Sequence, residues 1–212
     1  MAQPAKTEEP ATFVDYQGIT RVRGAEYVLP ICVGTVGFWL GKKASEEKSH
    51  RWTVYVRGPR GMDISHAVHS VTFRLHPSFT DPERVLTSAP FELTEMGWGE
   101  FDIVVVVRFS LDSHGGEIEM TRRLKLYSEE NSTQSTKKPV IREQYEEIVF
   151  SEPPVDFYKR VTSMKVGSAP ESEITPHLPQ YDEQHDLEKI RAARMRVASS
   201  LKKKLEGKAA GR

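Results

Sequence analysis

The stretch FDIVVVVRF, residues 101–109, sets the strongest constraint on the fold. Phe101, Ile103, Val105, Val107 and Phe109 alternate with Asp102, Val104, Val106 and Arg108. A strict two-residue period predicts a β-strand whose odd-numbered face points into a core. A lone strand cannot bury that face, so it needs partners. Further strand signals occur at 18–23, 27–33, 35–40, 52–57, 68–75, 90–94 and 117–127. Turn-forming runs separate them: GPRGMD, HPSFTDPER, EMGWGE and SHGG. No long amphipathic helix precedes residue 140, so no helix is available for parallel crossovers. The expected architecture is an all-β antiparallel sandwich or barrel.

The 212 residues exceed what one such domain needs. Residues 1–14 are expected to be disordered, and 15–160 to form the folded domain. NSTQSTKKP, 131–139, reads as a polar loop leaving the sandwich, with its NST at 131–133 solvated. IREQYEEIVFSEPPVDFYKRV, 141–161, carries Tyr145, Ile148, Val149, Phe150, Phe157 and Tyr158. That is too aromatic for a free linker, so the segment is expected to dock back on the domain. Residues 161–181, rich in Ser, Pro and Glu, read as a flexible acidic linker.

From 182 to 206 the period changes to that of a helix or coiled coil, with Gly207 ending the run and 207–212 forming a disordered basic end. Leu187, Ile190, Val197 and Leu201 fall at a/d spacing, with Arg194 in one a position and Leu205 just beyond. Two readings are open: a solvated, fraying helix, or a short coiled coil with a second copy or a partner helix. About three heptads are marginal for an isolated coil. Formal net charge is zero, but residues 187–212 hold nine Lys/Arg against two Glu, while 171–186 hold five acids and no Lys or Arg. The KKK at 202–204 suits nuclear import, a DNA contact or a solubilising face.

Little points to catalysis. No nucleophile–base–acid set stands out. A single cysteine, Cys32, excludes an intrachain disulfide and a cysteine-rich zinc site. His66 and His69 are spaced for a metal but have no third ligand nearby, and GKK at 41–43 lacks a phosphate-loop context. No metal and no cofactor are expected. The start, MAQPAKTEEP, has no apolar signal core, and no run reaches membrane-spanning length, so a reducing compartment is expected.

The candidate binding residues lie in two loops. GWG, 97–99, sets Trp98 between two glycines, which suggests close backbone approach or unusual dihedrals and a displayed indole. HPSF, 76–79, follows a strand whose Val71, Phe73 and Leu75 share one face. One reading of HPSF is a plain β-turn with a capping Ser and a partly buried Phe. The other brings both loops to one end of the sandwich. Phe79 and Trp98 would then wall a slot for a flat, uncharged, amide-bearing group, with a hydroxyl and an imidazole beside it.

HRWTVYVRGP, VTFRLHPSF, RVLTSAPFELTEMGWGEF and LKLY follow one another in an order that resembles the YEATS-domain family over about 20–127. EQYEEIVFSEP is similar to the short chromatin-complex branch, and FWLGKKASEEKSHRWTVYVRG to its plant-type members. The resemblance implies an immunoglobulin-like sandwich that reads acetyl- or crotonyl-lysine on histone H3 tails. The implied slot maps onto His76, Ser78, Phe79, Gly97, Trp98 and Gly99. There the Ser hydroxyl and the backbone N–H of the aromatic after Gly hold the acyl amide, and two aromatics enclose its plane. Two positions depart from the family pattern. Lys48 stands where some members have an aromatic or His, and Arg122 where some have a ligand-contacting acid. Both are candidate rim residues. The implied role is a nuclear, non-catalytic subunit of a histone-exchange remodeller or histone acetyltransferase complex, acting in transcription. Alternatives are a structural subunit with a vestigial slot, or a nucleic-acid binder acting through the basic tail.

Overall fold

A computed structural model describes residues 10–128, 134–180 and 183–209. The expected disorder of 1–9, the NST at 131–133 and the end of the basic tail, 210–212, lie outside these. A hairpin of β1 (Thr12–Val14) and β2 (Thr20–Val22) precedes the sandwich, so the expected disorder does not extend over 12–14. One sheet orders β10 (Val140–Ser151), β3 (Glu26–Trp39), β4 (His50–Arg57) and β7 (Phe91–Gly97). The other orders β6 (Glu83–Leu86), β5 (Val68–Arg74), β8 (Asp102–Phe109) and β9 (Glu117–Arg123). All pairings are antiparallel. Within this sandwich the helical segments are single three-residue turns.

The two-residue period of 101–109 holds: Ile103, Val105, Val107 and Phe109 are buried between the sheets. They meet Leu29, Ile31, Val33, Trp52 and Val54 from the facing sheet, and Phe73 from the neighbouring strand β5. The signals at 27–33 and 35–40 are one 14-residue strand. Gly34 does not break it; it makes room. A Cβ there would lie 2.6 Å from both the Arg142 carbonyl oxygen and the Tyr55 hydroxyl. β6 hides within a run that reads as a turn, because an edge strand of four residues carries almost no pattern.

The 141–161 segment docks as expected, as a full strand and a helix. β10 pairs along β3, and α1 (Val155–Ser163) follows. Phe150 packs 5.0 Å from both Phe109 and Phe157, ring centre to ring centre. Beyond α1 the expected flexible linker is corrected. Ile174 and Leu178 are buried against Val36 and Tyr55 on the outer face of β3 and β4. Asp63 N–H donates to the Gly167 carbonyl at 3.0 Å, and Ala169 N–H to that of Gly61 at 2.7 Å. Residues 164–179 therefore form a strap. Two apolar residues in a Pro- and Ser-rich run show no periodicity, so only tertiary contacts reveal it.

α2 (Glu183–Ala209) belongs to a separate compact unit and is described by itself. It continues through Gly207, past the expected end at 206. Leu187, Ile190, Val197 and Leu201 are all exposed. No helix among the described residues is long and apolar enough to cross a membrane.

His66 is not poised for a metal. It is buried, with the Tyr27 hydroxyl 2.6 Å from Nε2 and the Asp63 carbonyl 2.8 Å from Nδ1. Burial holds its pKa below the usual imidazole range. A depressed folded-state pKa means the unfolded chain binds the proton more readily. Stability is therefore full above about pH 6.5 and falls as pH drops from there through the folded value. Urea unfolding at a series of pH values should show a shallower acid slope in His66→Gln than in the parent. Ile174→Ala should cost about 2–3 kcal/mol by the same measurement, the usual scale for truncating a buried aliphatic residue.

Candidate ligand-binding site

β5 ends at Arg74, and Leu75 is the last residue to enter the core. Leu75 N–H donates to the Pro82 carbonyl at 2.8 Å, which closes residues 76–81 into a loop. Within it, Phe79 N–H donates to the His76 carbonyl at 3.0 Å, forming a tight turn. Ser78 N–H donates to His76 Nδ1 at 3.2 Å, and Ser78 Oγ lies 2.9 Å from the same nitrogen. In the tautomer whose Nδ1 is unprotonated, the Ser78 hydroxyl donates to it and Oγ keeps its lone pairs to accept. His76 and Ser78 are exposed and Phe79 is half-buried.

The β7–β8 loop meets this turn. A Cβ on Gly97 would lie 3.9 Å from Phe79 Cζ and 3.4 Å from Trp52 Nε1. Beneath both loops, Phe79 packs on Trp52 with ring centres 5.8 Å apart and on Phe101 at 5.5 Å. Trp52 and Phe101 are 5.7 Å apart, and the His76 ring is 6.1 Å from Phe101. The structure thus brings His76, Ser78, Phe79 and Gly97 together. Trp98 and Gly99 continue the loop, with Trp98 63% exposed. Tyr127 donates its hydroxyl to the Trp98 carbonyl at 3.2 Å, bracing the loop from the side.

The expectation of unusual glycine dihedrals is corrected: neither Gly97 nor Gly99 has a positive φ. A Cβ on Gly99 would meet nothing within 4 Å. Close approach applies to Gly97 alone. Opposite Gly97 in the β4–β7 register stands His50, which is buried and lies 5.1 Å from the Tyr127 ring. Burial lowers its pKa against a smaller opposing pull from Glu100.

The two carboxylates near the loops are occupied. Glu95 pairs with Arg84 at 3.2 Å. Glu100 accepts from Leu126 N–H at 2.8 Å, Tyr127 N–H at 3.2 Å and Lys125 at 3.1 Å. Burial raises the Glu100 pKa, but these donors together outweigh it and hold the group below its ordinary range.

Lys48 lines an open cleft of about 520 Å³ with Arg51, Ser78, Phe79, Arg84 and Glu95. Arg122 does not. It pairs with Glu146 at 2.7 Å and lines a different cleft, near Thr35, so its rim role is corrected. The alternation that puts Arg122 among Ile118, Met120 and Leu124 already points between the sheets. Sequence reasoning misses Trp52 and Phe101 as the floor of the site. Phe101 reads as core, yet as the first residue of its periodic run it sits where the core gives way to the loops.

The YEATS family pattern matches residues 47–128, which include both loops. The protein AF-9 homolog of Eremothecium gossypii is 33% identical over 196 residues, covering 88% of this chain and 94% of that one. The chain belongs to the YEATS family. Its similarity to transcription initiation factor TFIID subunit 14b of Arabidopsis thaliana is higher but shorter: 48% over 142 residues, 66% of this chain. The match spans about half of that plant relative, 53%. Among solved YEATS structures, the Yaf9 YEATS domain bound to H3K27ac is 34% identical, with a TM-score of 0.60, covering 68% of this chain and 99% of that one. The Yaf9 YEATS domain recognizing an H3K122suc peptide is 36% identical, with a TM-score of 0.58. The immunoglobulin-like sandwich is thus shared with YEATS domains that hold acylated histone peptides.

The open surroundings of Gly99 have a direct consequence. Gly99→Ala should change unfolding free energy by no more than about 0.5 kcal/mol, as for other unencumbered surface sites. Trp52→Ala should cost roughly 3–5 kcal/mol. Urea denaturation of the two variants checks both values.

Proposed function

We propose that this chain is a histone acyl-lysine reader, taking the acetyl- or crotonyl-lysine of an H3 tail between Phe79 and Trp98. The observation that carries this reading is the pairing of Ser78 with His76 Nδ1: in the tautomer whose Nδ1 is unprotonated, the Ser78 hydroxyl donates to it and Oγ is left to accept the N–H of an acyl-lysine amide. The backbone N–H of Trp98 suits the amide oxygen. The two Yaf9 complexes support the ligand class.

Aromatic walls alone do not reject unmodified lysine, since ammonium groups also favour π faces. Rejection comes from desolvation in a slot that offers no free carboxylate. Glu95 and Glu100 are already paired, and Lys48, Arg51 and Arg84 line the adjoining cleft. This is binding chemistry, and the reader is non-catalytic. The relatives named for transcription initiation and as AF-9 homologs support a role in a nuclear chromatin complex, a remodeller or an acetyltransferase assembly. α2 is the segment that docks there or on a second copy, through the exposed Leu187, Ile190, Val197 and Leu201.

Calorimetric titration of the full chain with acetylated and unmodified H3 peptides tests this. Trp98→Ala and Phe79→Ala should each cost about 2 kcal/mol or more in acyl-peptide binding, as aromatic hot spots do. That is roughly thirtyfold in affinity. Ser78→Ala should cost about 1–3 kcal/mol by leaving the amide N–H unpaired. Trp98→Ala should remain folded, given its exposure. A Trp98→Ala protein that binds as tightly as the parent would refute the slot. Removing 183–209 should leave affinity per domain unchanged and abolish self-association or partner capture.

A further inference from the structure

The cleft beside the slot carries three cations, Lys48, Arg51 and Arg84. It is also lined by Ser78 and Phe79 of the slot itself, so the residues that flank an inserted lysine lie at its mouth. Three unmatched cations there would repel a basic histone tail. Glu95, in the same lining, offsets Arg84. Among the described residues Arg51 has one acidic partner, and it comes from the strap: Glu173 Oε2 accepts from Arg51 Nη1 at 2.6 Å. This pair adds little to holding the strap down. Its side chains are 38% and 80% exposed, and exposed pairs contribute little to stability. The strap is already held by Ile174 and Leu178, by its main-chain bonds to Gly61 and Asp63, and by Arg57 on the Pro179 carbonyl. What the pair does fix is Arg51. The guanidinium lies over the Phe38 ring, 5.4 Å from its centre, and the strap's His177 packs on the same ring at 5.0 Å.

We infer that Glu173 is a specificity-determining residue of the acyl-lysine site: by neutralising Arg51 it lets the site accept a peptide that carries Lys or Arg next to the acylated lysine. This rests on the acyl-lysine reading above. Lys48, Arg51 and Arg84 against Glu95 and Glu173 leave one net positive charge around the cleft, whereas Glu95 alone would leave two. Adjacent peptide residues are about 3.8 Å apart, Cα to Cα, so the flanking charge stays close to the acylated residue and to this lining. At that range salt screens the interaction only in part. The single positive charge that remains still disfavours an ammonium in the slot, so rejection of unmodified lysine survives the neutralisation. Glu173 lies 122 residues beyond Arg51 in the chain and outside the 47–128 match to the family pattern. The strap thus adds a charge setting that the matched segment does not contain.

Calorimetric titration of the full chain tests this, using an acetylated H3 peptide and the same peptide with Glu in place of each Arg flanking the acetyl-lysine. Glu173→Lys should weaken the Arg peptide and strengthen the Glu peptide. The ratio of the two affinities should change by about tenfold at low ionic strength and by less than about twofold at high ionic strength. Glu173→Gln should move the ratio about threefold in the same direction, and carries the test if Glu173→Lys loosens the strap. Arg51→Gln should move it the opposite way, because it leaves the Glu173 charge unmatched. Glu171→Lys, at another exposed acid of the strap, should move it by less than about twofold. Melting temperatures should stay at the parent's value, as expected for an exposed pair. A parent that binds neither acetylated peptide refutes the reader itself. A parent that binds, with a ratio that the Glu173 variants leave unchanged or that Glu171→Lys shifts equally, overturns this inference alone.

Discussion

Everything in the sandwich hangs on β3. It is 14 residues long, pairs with β10 on one side and β4 on the other, and is covered on both faces. A strand covered twice cannot alternate apolar with polar, and YVLPICVGTVGF does not. Its inner face meets the second sheet through Leu29, Ile31 and Val33, while Val36 on the outer face needs a separate lid. Gly34 lets the Tyr55 hydroxyl reach across β3 to Glu143, 2.9 Å away. Arg57 grips the same carboxylate through both oxygens, at 2.8 and 2.9 Å. Two buried charges are tolerable there because every strong donor around them is matched. Burial, ahead of the adjacent carboxylate, pushes the Tyr55 hydroxyl far above its ordinary range, so it keeps its proton and donates it to Glu143.

That frame positions the slot by register. β4 and β7 run together to His50 and Gly97, so the end of one ladder delivers Gly97 beside Phe79. The floor of three aromatic rings is shared with the core, whereas the residues proposed to touch ligand sit on loops braced from outside by Glu100 and Tyr127. Trp52 serves the core, Phe79 packs on that core and is also proposed to wall the slot, and Trp98 is proposed for recognition alone.

Strands with a strict period are legible in the amino-acid sequence alone, since alternation over 101–109 and 68–75 leaves few other options. The loop residues His76, Ser78 and Phe79 show in the sequence as a polar and aromatic run after a strand, but that run fits a turn with a partly buried Phe as well as a slot, and the structure has the turn and the packed Phe. What stays hidden depends on distant partners. β6 is too short to show alternation. Ile174 and Leu178 flank a single three-residue helical turn, Thr175–His177, too short to show a period, so their shared burial emerges only when β3 and β4 are in place. Gly99 resembles a steric requirement when judged by its sequence neighbours, yet it faces open space. Arg122 resembles a substituted contact residue but has an inward position, which only an acid on β10 explains.

The strap has a bearing on where this protein can be cut. Its Glu173 holds Arg51 at 2.6 Å, and Arg51 lines the cleft beside Phe79. Its Ser172 hydroxyl caps the half-buried Glu92 at 2.9 Å, and the Pro179 carbonyl receives Arg57. A protease that cleaved the chain after α1 would leave a complete sandwich with an altered edge beside Phe79. It would carry an uncovered apolar stripe at Val36 and Tyr55 and one more loose guanidinium beside the slot. The compact unit that includes the strap ends at Pro179, and the YEATS pattern, closing at 128, covers only its middle.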